Sequence, residues 1–518
     1  MKIVTAEQMR EIDRRAAASG ITTDFLMENA GRAVAEAVRH FIDYIAGKTV
    51  LALAGPGNNG GDALVAARCL HEWGAIVNVY MLSGRTGEDK NLSLIKELDI
   101  PVFHIEKDAK LTKLQKLVSS SGVVIDGVLG TGKVRPLESS FKEILDLING
   151  EKKRRPGLVV TSVDIPTGLN ADTGAVDPSC LLADLTVTLG LPKPGLYNFP
   201  GAEKAGKLVI ADIGIPAELS SGIQTELMTA GWARAALPVR PTGANKGTFG
   251  RVLAVVGSEN YIGAAYLACM GAARVGAGVV TLSTAKSLQP ILASKLTEVT
   301  YAPLPETEKG TLSEKAAAAI LSILPYYRVL LIGCGLGQLP HTKSFIRSVL
   351  TGLPEKPPVM ILDADALNIV SGMDRWWKRL PADTIVTPHA GEMSRLMKLP
   401  IDEVQGNRFE ICCRAASDWN KIVVLKGAFS IIAEPSGRAR VSDAANAGLA
   451  SAGTGDVLAG AIAGLAGQGI SPFDAASLGV YLHAAAGELV KDELGDTGML
   501  AGDLLPVLPK VIKGLKEN

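Results

Sequence analysis

The chain has 518 residues, of which 47% are hydrophobic, and its 53 Lys and Arg are balanced by 53 Asp and Glu. That length exceeds the ~300 residues a single core usually supports, so two domains are expected. The even charge excludes a global field for nucleic acid or an anionic membrane surface and leaves small metabolites or locally bound anions as ligands.

The six cysteines (Cys69, Cys180, Cys269, Cys334, Cys412 and Cys413) stand far apart or adjacent, without zinc-site spacing or a dense disulfide pattern. Arg10, Glu11, Asp13, Arg14 and Arg15 interrupt any apolar stretch near Met1, so no signal peptide is read and a reducing cytoplasm is the expected setting. The longest apolar run, Val457 to Ala466, is too short to span a bilayer and reads as a buried helix.

In chain order, Thr5 and Gln8 have capping-box spacing ahead of Met9, Ile12 and Ala16, which opens a first helix. Strands are then expected at Val50-Ala54, Ile76-Met81, Val123-Asp126, Leu158-Asp164, Leu185-Leu189 and Lys207-Ile213. After Pro238, Pro241 and Gly243, a second series runs through Val252-Val256, Val329-Ile332, Val359-Asp363 and Ile422-Lys426. Strands alternating with helix-period segments predict parallel sheets covered by helices. The Lys152-Arg155 run reads as a solvated loop, and no internal repeat of 20 to 50 residues is visible.

Chemistry concentrates where strands end. Gly55-Pro56-Gly57-Asn58-Asn59-Gly60-Gly61-Asp62 follows the first strand as a glycine-rich loop able to bring backbone N–H groups to a phosphate, or to serve only as a turn. Asp126 and Thr167 lie beyond two later strands, and ligands of open parallel sheets sit at such carboxyl ends. Asn59, Asp126 and Thr167 could offer hard oxygen ligands to a cation, or act as caps and turn residues.

These segments, with Met27-Glu28-Asn29-Ala30-Gly31, Gly130-Thr131-Gly132, Arg135-Pro136-Leu137, Asp164-Ile165-Pro166-Thr167-Gly168 and Leu191-Pro192-Lys193-Pro194-Gly195, resemble the NAD(P)HX epimerase family over nearly all of residues 1 to 220. The resemblance implies a Rossmann-like three-layer α/β/α domain (1-222) that interconverts the R and S hydrates of NADH and NADPH. By motif, Asn58, Asn59, Gly60, Gly61 and Asp62 would cradle the hydrate with Gly130, Thr131, Gly132, Lys133, Val134, Arg135 and Pro136. Asp164 would face the nicotinamide as acid/base, since a carboxyl desolvated against the ring can titrate closer to neutrality. Asn59, Asp126 and Thr167 would hold K⁺. Ala63 replaces a glycine common in the motif, and Thr167 replaces a serine.

In the second half, Gly333-Gly337 ends one strand in glycines, and Asp363-Ala364-Asp365 ends another in carboxylates. Thr387-Pro388-His389-Ala390-Gly391-Glu392 ends a third, and Ile262-Gly263-Ala264-Ala265 opens a helix whose small residues suit close packing on a sheet. Gly453-Thr454-Gly455-Asp456 precedes the apolar helix. Its glycines aim N–H donors at one point while Asp456 stands ready to take a proton, or merely caps the helix. No Gly-Lys-Ser/Thr follows the glycines at 333 to 337, which argues against a P-loop kinase.

Together with Lys246-Gly247-Thr248, these motifs resemble the ribokinase-like superfamily and, within it, the NAD(P)HX dehydratases, over about residues 235 to 515. The resemblance implies a ribokinase-like α/β/α domain (223-518) that removes water from the S hydrate. ADP with Mg²⁺ would be the phosphoryl donor, leaving AMP and phosphate. Ala264, Gly337, His389 and Asp456 would touch the hydrate, Asp456 as catalytic base. Lys426, Gly427, Ala428, Phe429, Ser430 and Gly455 would bind the nucleotide. The partners implied are NADHX, NADPHX and ADP, with no nucleic acid or membrane, in a homo-oligomer. A small-alcohol kinase in the second half and a catalytically silent module in the first remain as alternatives at this point.

Overall fold

The computed structural model describes residues 1–83, 89–131, 137, 139–307 and 310–517. It forms two compact units, Met1–Ile223 and Gln224–Asn518. The strands of the first are β1 (Thr49–Ala54), β2 (Ile76–Met81), β3 (Val102–His104), β4 (Val123–Gly127), β5 (Val159–Val163), β6 (Leu185–Leu189) and β7 (Lys207–Ala211). They form one parallel sheet in the order β3-β2-β1-β4-β5-β6-β7. Alternate residues of β1 feed opposite layers. Val50, Ala52 and Ala54 join the helices Thr23–Phe41 and Asn58–Glu72, whereas Leu51 and Leu53 join Thr112–Ser120 and Ser139–Arg154. The strand order reverses between β1 and β4, where such sheets open a crevice.

The first helix, Ala6–Ala18, carries the expected capping box of Thr5 and Gln8. It is held down by Val4 N donating to the Pro192 carbonyl at 3.0 Å and Ala6 N donating to Asp172 Oδ1 at 2.7 Å. The Lys152-Arg155 run is not a solvated loop. Lys152 and Arg154 close the helix Ser139–Arg154, Lys152 Nζ pairs with Asp184, and Arg155 donates to the carbonyls of Val118, Ser119 and Ser121. Backbone acceptors at a helix C-terminus and one buried-edge carboxylate consume the charge that composition assigned to water.

The second unit contains β8 (Thr225–Leu227), β9 (Arg251–Val255), β10 (Val279–Ser283), β11 (Thr300–Tyr301), β12 (Val329–Ile332), β13 (Val359–Leu362), β14 (Ile385–Val386), β15 (Ile422–Leu425), β16 (Ile431–Ala433) and β17 (Ala439–Val441). Their order is β11-β10-β9-β12-β13-β14-β15-β16-β17-β8, parallel except for the antiparallel pairs β15/β16 and β16/β17. Val457–Ala466 is fully buried within the helix Thr454–Gly467. Among the described residues no helix is long and apolar enough to cross a membrane.

The small residues of the helix Ile262–Arg274 serve a helix neighbour more than the sheet. A Cβ at Gly460 would stand 2.1 Å from the Ala268 carbonyl oxygen, one at Gly464 2.4 Å from that of Ala272, and one at Gly271 2.5 Å from that of Val457. Backbone therefore packs on backbone, which fixes where the Gly453-Asp456 turn projects. Gly460→Ala should destabilise the second unit by ~1–3 kcal/mol through overpacking, despite alanine's better helix propensity of ~1 kcal/mol. Urea unfolding of the variant beside the wild type measures it, and equal or greater stability would contradict this packing account.

Candidate functional sites

In the first unit, the crevice is a cleft of about 780 Å³ lined by Asn58, Asn59, Asp62, Thr131 and Asp164, together with Asp13 and Lys193. The expected glycine loop is shorter than its sequence suggests. Gly57 caps the helix Asn58–Glu72, so Asn58 to Asp62 begin that helix, with Gly60 N and Gly61 N donating to the Gly57 carbonyl at 3.2 and 3.4 Å. Asn59 Nδ2 donates to the Val163 carbonyl at 2.7 Å, which ties this turn to the end of β5. Gly130 and Thr131 adjoin it, and a Cβ at Gly130 would collide with the Asn59 carboxamide at 2.4 Å. Gly132, Lys133, Val134, Arg135 and Pro136 lie outside the described residues.

Asp126, fully buried, accepts from Ser162 Oγ at 2.9 Å, Thr167 N at 2.9 Å, Thr167 Oγ1 at 2.6 Å and Val128 N at 3.3 Å. Burial raises its pKa, with the bonds from Thr167 and Ser162 acting in the opposite sense. Asp126 and Thr167 thus meet in one buried cluster whose partners here are neutral, and the Asn59 backbone lies beside the adjoining Gly127, where a Cβ would stand 2.6 Å from the Asn59 carbonyl oxygen. Such hard oxygen donors with an uncompensated negative charge fit a potassium ion. The residue substitutions in the motif are accommodated. Thr167 keeps the hydroxyl, and the Ala63 methyl lies where a Cβ at Gly127 would fall, 2.5 Å away, so Gly127 makes the room that residue 63 does not.

Asp164 sits just beyond β5 at a left-handed φ of 67°. It is buried, its Oδ1 accepting from Leu189 N at 3.0 Å and Thr188 Oγ1 at 3.2 Å and pairing with the ammonium of Lys193. Lys193 is 1% exposed and also donates to the Leu189 carbonyl at 3.2 Å. Asp164 is therefore one half of a buried ion pair and not a lone carboxyl against the ring. Asp13, exposed at the cleft mouth, has its pKa raised by burial of its carboxyl on the cleft side, partly offset by Lys193 and reinforced by Asp164. Sequence reasoning missed both Lys193 and Asp13. The Lys193 motif was visible, but only the fold brings it opposite Asp164.

In the second unit, polar groups gather at the carboxyl ends of β12 to β15. Lys426 Nζ is 2.6 Å from Asp363 Oδ1 and 3.8 Å from Glu392 Oε2, and Thr387 Oγ1 donates to Asp363 Oδ1 at 2.6 Å. Burial opposes the Lys426 charge, but Asp363 and Glu392 outweigh it and raise the ammonium's pKa. The Cys334 thiol donates to Asp363 Oδ2 at 3.4 Å, and ligand atoms of Cys334, Asp363 and Asp456 all lie within 4.8 Å of one another. Burial first, and then Asp363, push the Asp456 carboxyl up to about 7, against the pull of Lys426 and Cys334.

Gly453, at φ 90°, caps the helix Thr454–Gly467, which places Asp456 in its first turn and not at its cap. Gly455 faces Lys426, whose Nζ would be 3.5 Å from a Cβ there. Lys426, Gly427, Ala428, Ser430 and Gly455 line one cleft of about 680 Å³, and Phe429, at φ 53°, is the residue of that segment that stays off its wall. His483 also lines it, a residue the sequence did not single out. Burial lowers its pKa to about 4, and as a neutral ring its Nε2 donates to the Thr454 carbonyl at 3.0 Å.

His389 caps the helix Ala390–Met397. Its Nδ1 accepts from Gly391 N at 3.0 Å, Glu392 in turn accepts from His389 N at 2.8 Å, and the half-exposed ring keeps its outer edge at the surface. Burial, Lys426 and Arg395 lower its pKa. Gly337 N donates to Asp365 Oδ2 at 2.8 Å, and Ala264 packs where a Cβ at Gly335 would lie, 2.6 Å away. The hydrate residues expected from sequence are therefore neighbours along the strand ends, whereas the nucleotide residues share one cleft.

Two parallel sheets, each with buried ionic groups collected at its carboxyl edge, define a two-site α/β enzyme. Residues 252–510 match the family model described as NAD(P)H-hydrate dehydratase, and residues 23–195 match that of the YjeF-related protein N-terminus. The bifunctional NAD(P)H-hydrate repair enzyme of Moorella thermoacetica is 39% identical over 100% of this chain and 98% of its own length. That of Escherichia coli is 31% identical over 98% and 93%, respectively. A solved ADP/ATP-dependent NAD(P)H-hydrate dehydratase from Bacillus subtilis, co-crystallised with ATP and Mg²⁺, is 34% identical with a TM-score of 0.49, covering 56% of this chain and 98% of that one. The chain belongs to the family of bifunctional NAD(P)H-hydrate repair enzymes, with an epimerase domain followed by a dehydratase domain.

A carboxyl near 7 in the folded state and near 3.8 unfolded has a raised pKa, so its contribution to stability is complete below ~4 and is lost as pH rises through ~7. Asp456→Asn should therefore stabilise the second unit at pH 8, by on the order of 1–3 kcal/mol, and have no such effect near pH 4. Thermal unfolding across that range reads the difference, and a gain that grows toward low pH would contradict the assigned environment of Asp456.

Proposed function

We propose that the first unit interconverts R and S hydrates in the Asn58–Asp62 cleft and that the second dehydrates the S form at the expense of ADP, releasing AMP and phosphate. The observation that carries this reading is Asp456, poised near neutrality at the first turn of a helix whose Gly455 faces Lys426.

Water leaves poorly at neutral pH and phosphate leaves well. Asp456 takes the proton of the hydrate hydroxyl, whose oxygen bonds to the terminal phosphorus of ADP as the bond to AMP breaks. Elimination then breaks the C–O bond, phosphate departs, and a proton lost from the adjacent carbon leaves its electron pair in the restored double bond. The amides at Gly453–Gly455 stabilise the transferring group, and Lys426 adds positive charge beside them. His389 and Gly337 border the hydrate, and Lys426 to Ser430 with Gly455 hold the nucleotide. Mg²⁺ would arrive with the phosphates and neutralise them.

In the first unit, opening or exchange at the hydroxylated carbon needs a group to take and return the hydroxyl proton. Asp164 supplies that carboxylate, and Lys193, ion-paired with it, fixes its position in the cleft. Asn59, Asp126 and Thr167 would hold K⁺, which supplies positive charge beneath the substrate-facing turn.

Supplying a mixed-epimer hydrate with ADP or ATP and following recovery of the reduced nicotinamide chromophore tests the whole assignment, and a stable phosphorylated product would replace it with a kinase. Asp456→Asn should lower dehydration by about 10²–10⁴-fold and leave hydrate interconversion at the wild-type rate. In the first unit, Asp164→Asn and Lys193→Met should each slow interconversion at least about 10²-fold while dehydration of pure S hydrate continues. Wild-type interconversion in either variant would remove that residue from the mechanism.

A further inference from the structure

Arg408 opens the helix Arg408–Trp419 and is 3% exposed. Its Nη1 donates to Gln405 Oε1 at 3.1 Å, and Nη2 donates to the Leu425 and Lys426 carbonyls at 3.3 Å each. Nε has no partner among the described residues. All of these partners are neutral. Burial lowers the guanidinium's pKa, and the one ionisable group that counters this is the Cys412 thiol, itself pushed up by burial.

A buried lysine in such a position can shed its proton. Lys421, 2% exposed and bonded only to the carbonyls of Trp419 and Asn420, has its pKa lowered by burial. An arginine cannot follow it, so Arg408 remains a permanent charge without a counter-ion among the described residues. Burying such a charge is costly, and the fold retains it in one particular place. The guanidinium lies against Gly427, where a Cβ would stand 3.0 Å from Nη2 and 3.1 Å from Nη1. Gly427 lines the cleft with Lys426, Ala428, Ser430 and Gly455. The charge is thus separated from the cleft by a residue with no side chain. The Leu425 and Lys426 carbonyls, turned toward Arg408, keep their negative ends engaged there.

We propose that Arg408 is a buried positioning and electrostatic determinant of nucleotide binding, whose counter-ion is the phosphate chain of the nucleoside diphosphate held by the Lys426–Ser430 segment. This rests on the reading that the cleft takes an adenine nucleotide. Arg408 touches no ligand. It acts by setting the segment's backbone and by a fixed field in a poorly screened interior.

Binding of ADP with Mg²⁺ and of adenosine to the full chain, measured by calorimetry, separates charge from scaffold. Arg408→Gln, which keeps amide donors and removes the charge, should weaken ADP about tenfold and adenosine less than about twofold. Arg408→Lys, which keeps the charge only while its ammonium stays protonated, should hold ADP within about threefold of the wild type near pH 6 and fall further behind it as pH rises. Equal losses for ADP and adenosine would make Arg408 a scaffold alone, and an unchanged ADP affinity in the Gln variant would also overturn the inference. Should the Gln variant not fold, the Lys variant decides, since a loss of ADP affinity relative to the wild type that is no greater at pH 9 than at pH 6 contradicts a role for charge. Absence of ADP binding by the wild type would instead remove the nucleotide reading itself.

Discussion

The contact on which the second site depends is the ammonium of Lys426 against Asp363. Asp363, Glu392 and Asp456 surround a single lysine, and in a poorly hydrated cluster one positive charge cannot hold three carboxylates ionised at ordinary acidity. The excess is expressed at Asp456, on the helix terminus, and at Glu392, both raised first by burial and further by Asp363. Asp363 itself has Lys426 and Thr387 as donors. A base tuned toward neutrality is thus the consequence of a charge imbalance fixed by strand ends β12 to β15. The backbone contact between the helices Thr454–Gly467 and Ile262–Arg274 brings Asp456 to that imbalance.

The first unit resolves a similar problem differently. Asp164 and Asp126 are both buried, but Asp164 has a buried lysine of its own whereas Asp126 has hydroxyl and amide donors only. One carboxylate is therefore matched within the fold, and the other leaves room for a cation. Asp164 lies just beyond β5 and Asp126 within the adjacent strand β4, so one edge of the sheet carries both a neutralised pair and an acid with neutral partners.

Much of this was legible in the sequence because buried parallel strands read as short apolar runs and because glycines and carboxylates follow them directly. The strands at Val50, Ile76, Val123, Leu185 and Val329 lie where alternation and turn residues place them. Less legible were β8, β14, β16 and β17, which have two or three residues each and gain their stability from neighbours already in the sheet. The start of the helix at Asn58 was hidden because two glycines in its first turn imitate a loop. Asp13 and His483 gave no periodic or motif signal, and Lys193 stood in a visible motif without being marked as a site residue, since the importance of all three lies in which distant residue they face. Gly60 and Gly61 show the same limit from the other side. Their residue type was read as that of a loop open to a phosphate, and the structure places them in a helix turn.

Buried charge distinguishes the residues that sequence patterns find from those that only a fold exposes. A motif shows a lysine after a strand or an aspartate after a glycine, and both Lys426 and Asp456 were found that way. It does not show whether a cation is compensated. Lys193, Lys426 and Arg440 are all nearly enclosed and all paired with carboxylates, while Arg408 is enclosed and paired with carbonyls. Arginine keeps its charge where lysine can lose it, so the choice of arginine at position 408 imposes an unmatched positive field behind Gly427 that the folded chain alone does not neutralise. A site that must collect a polyanion gains from such a field, because it is already in place before the ligand arrives.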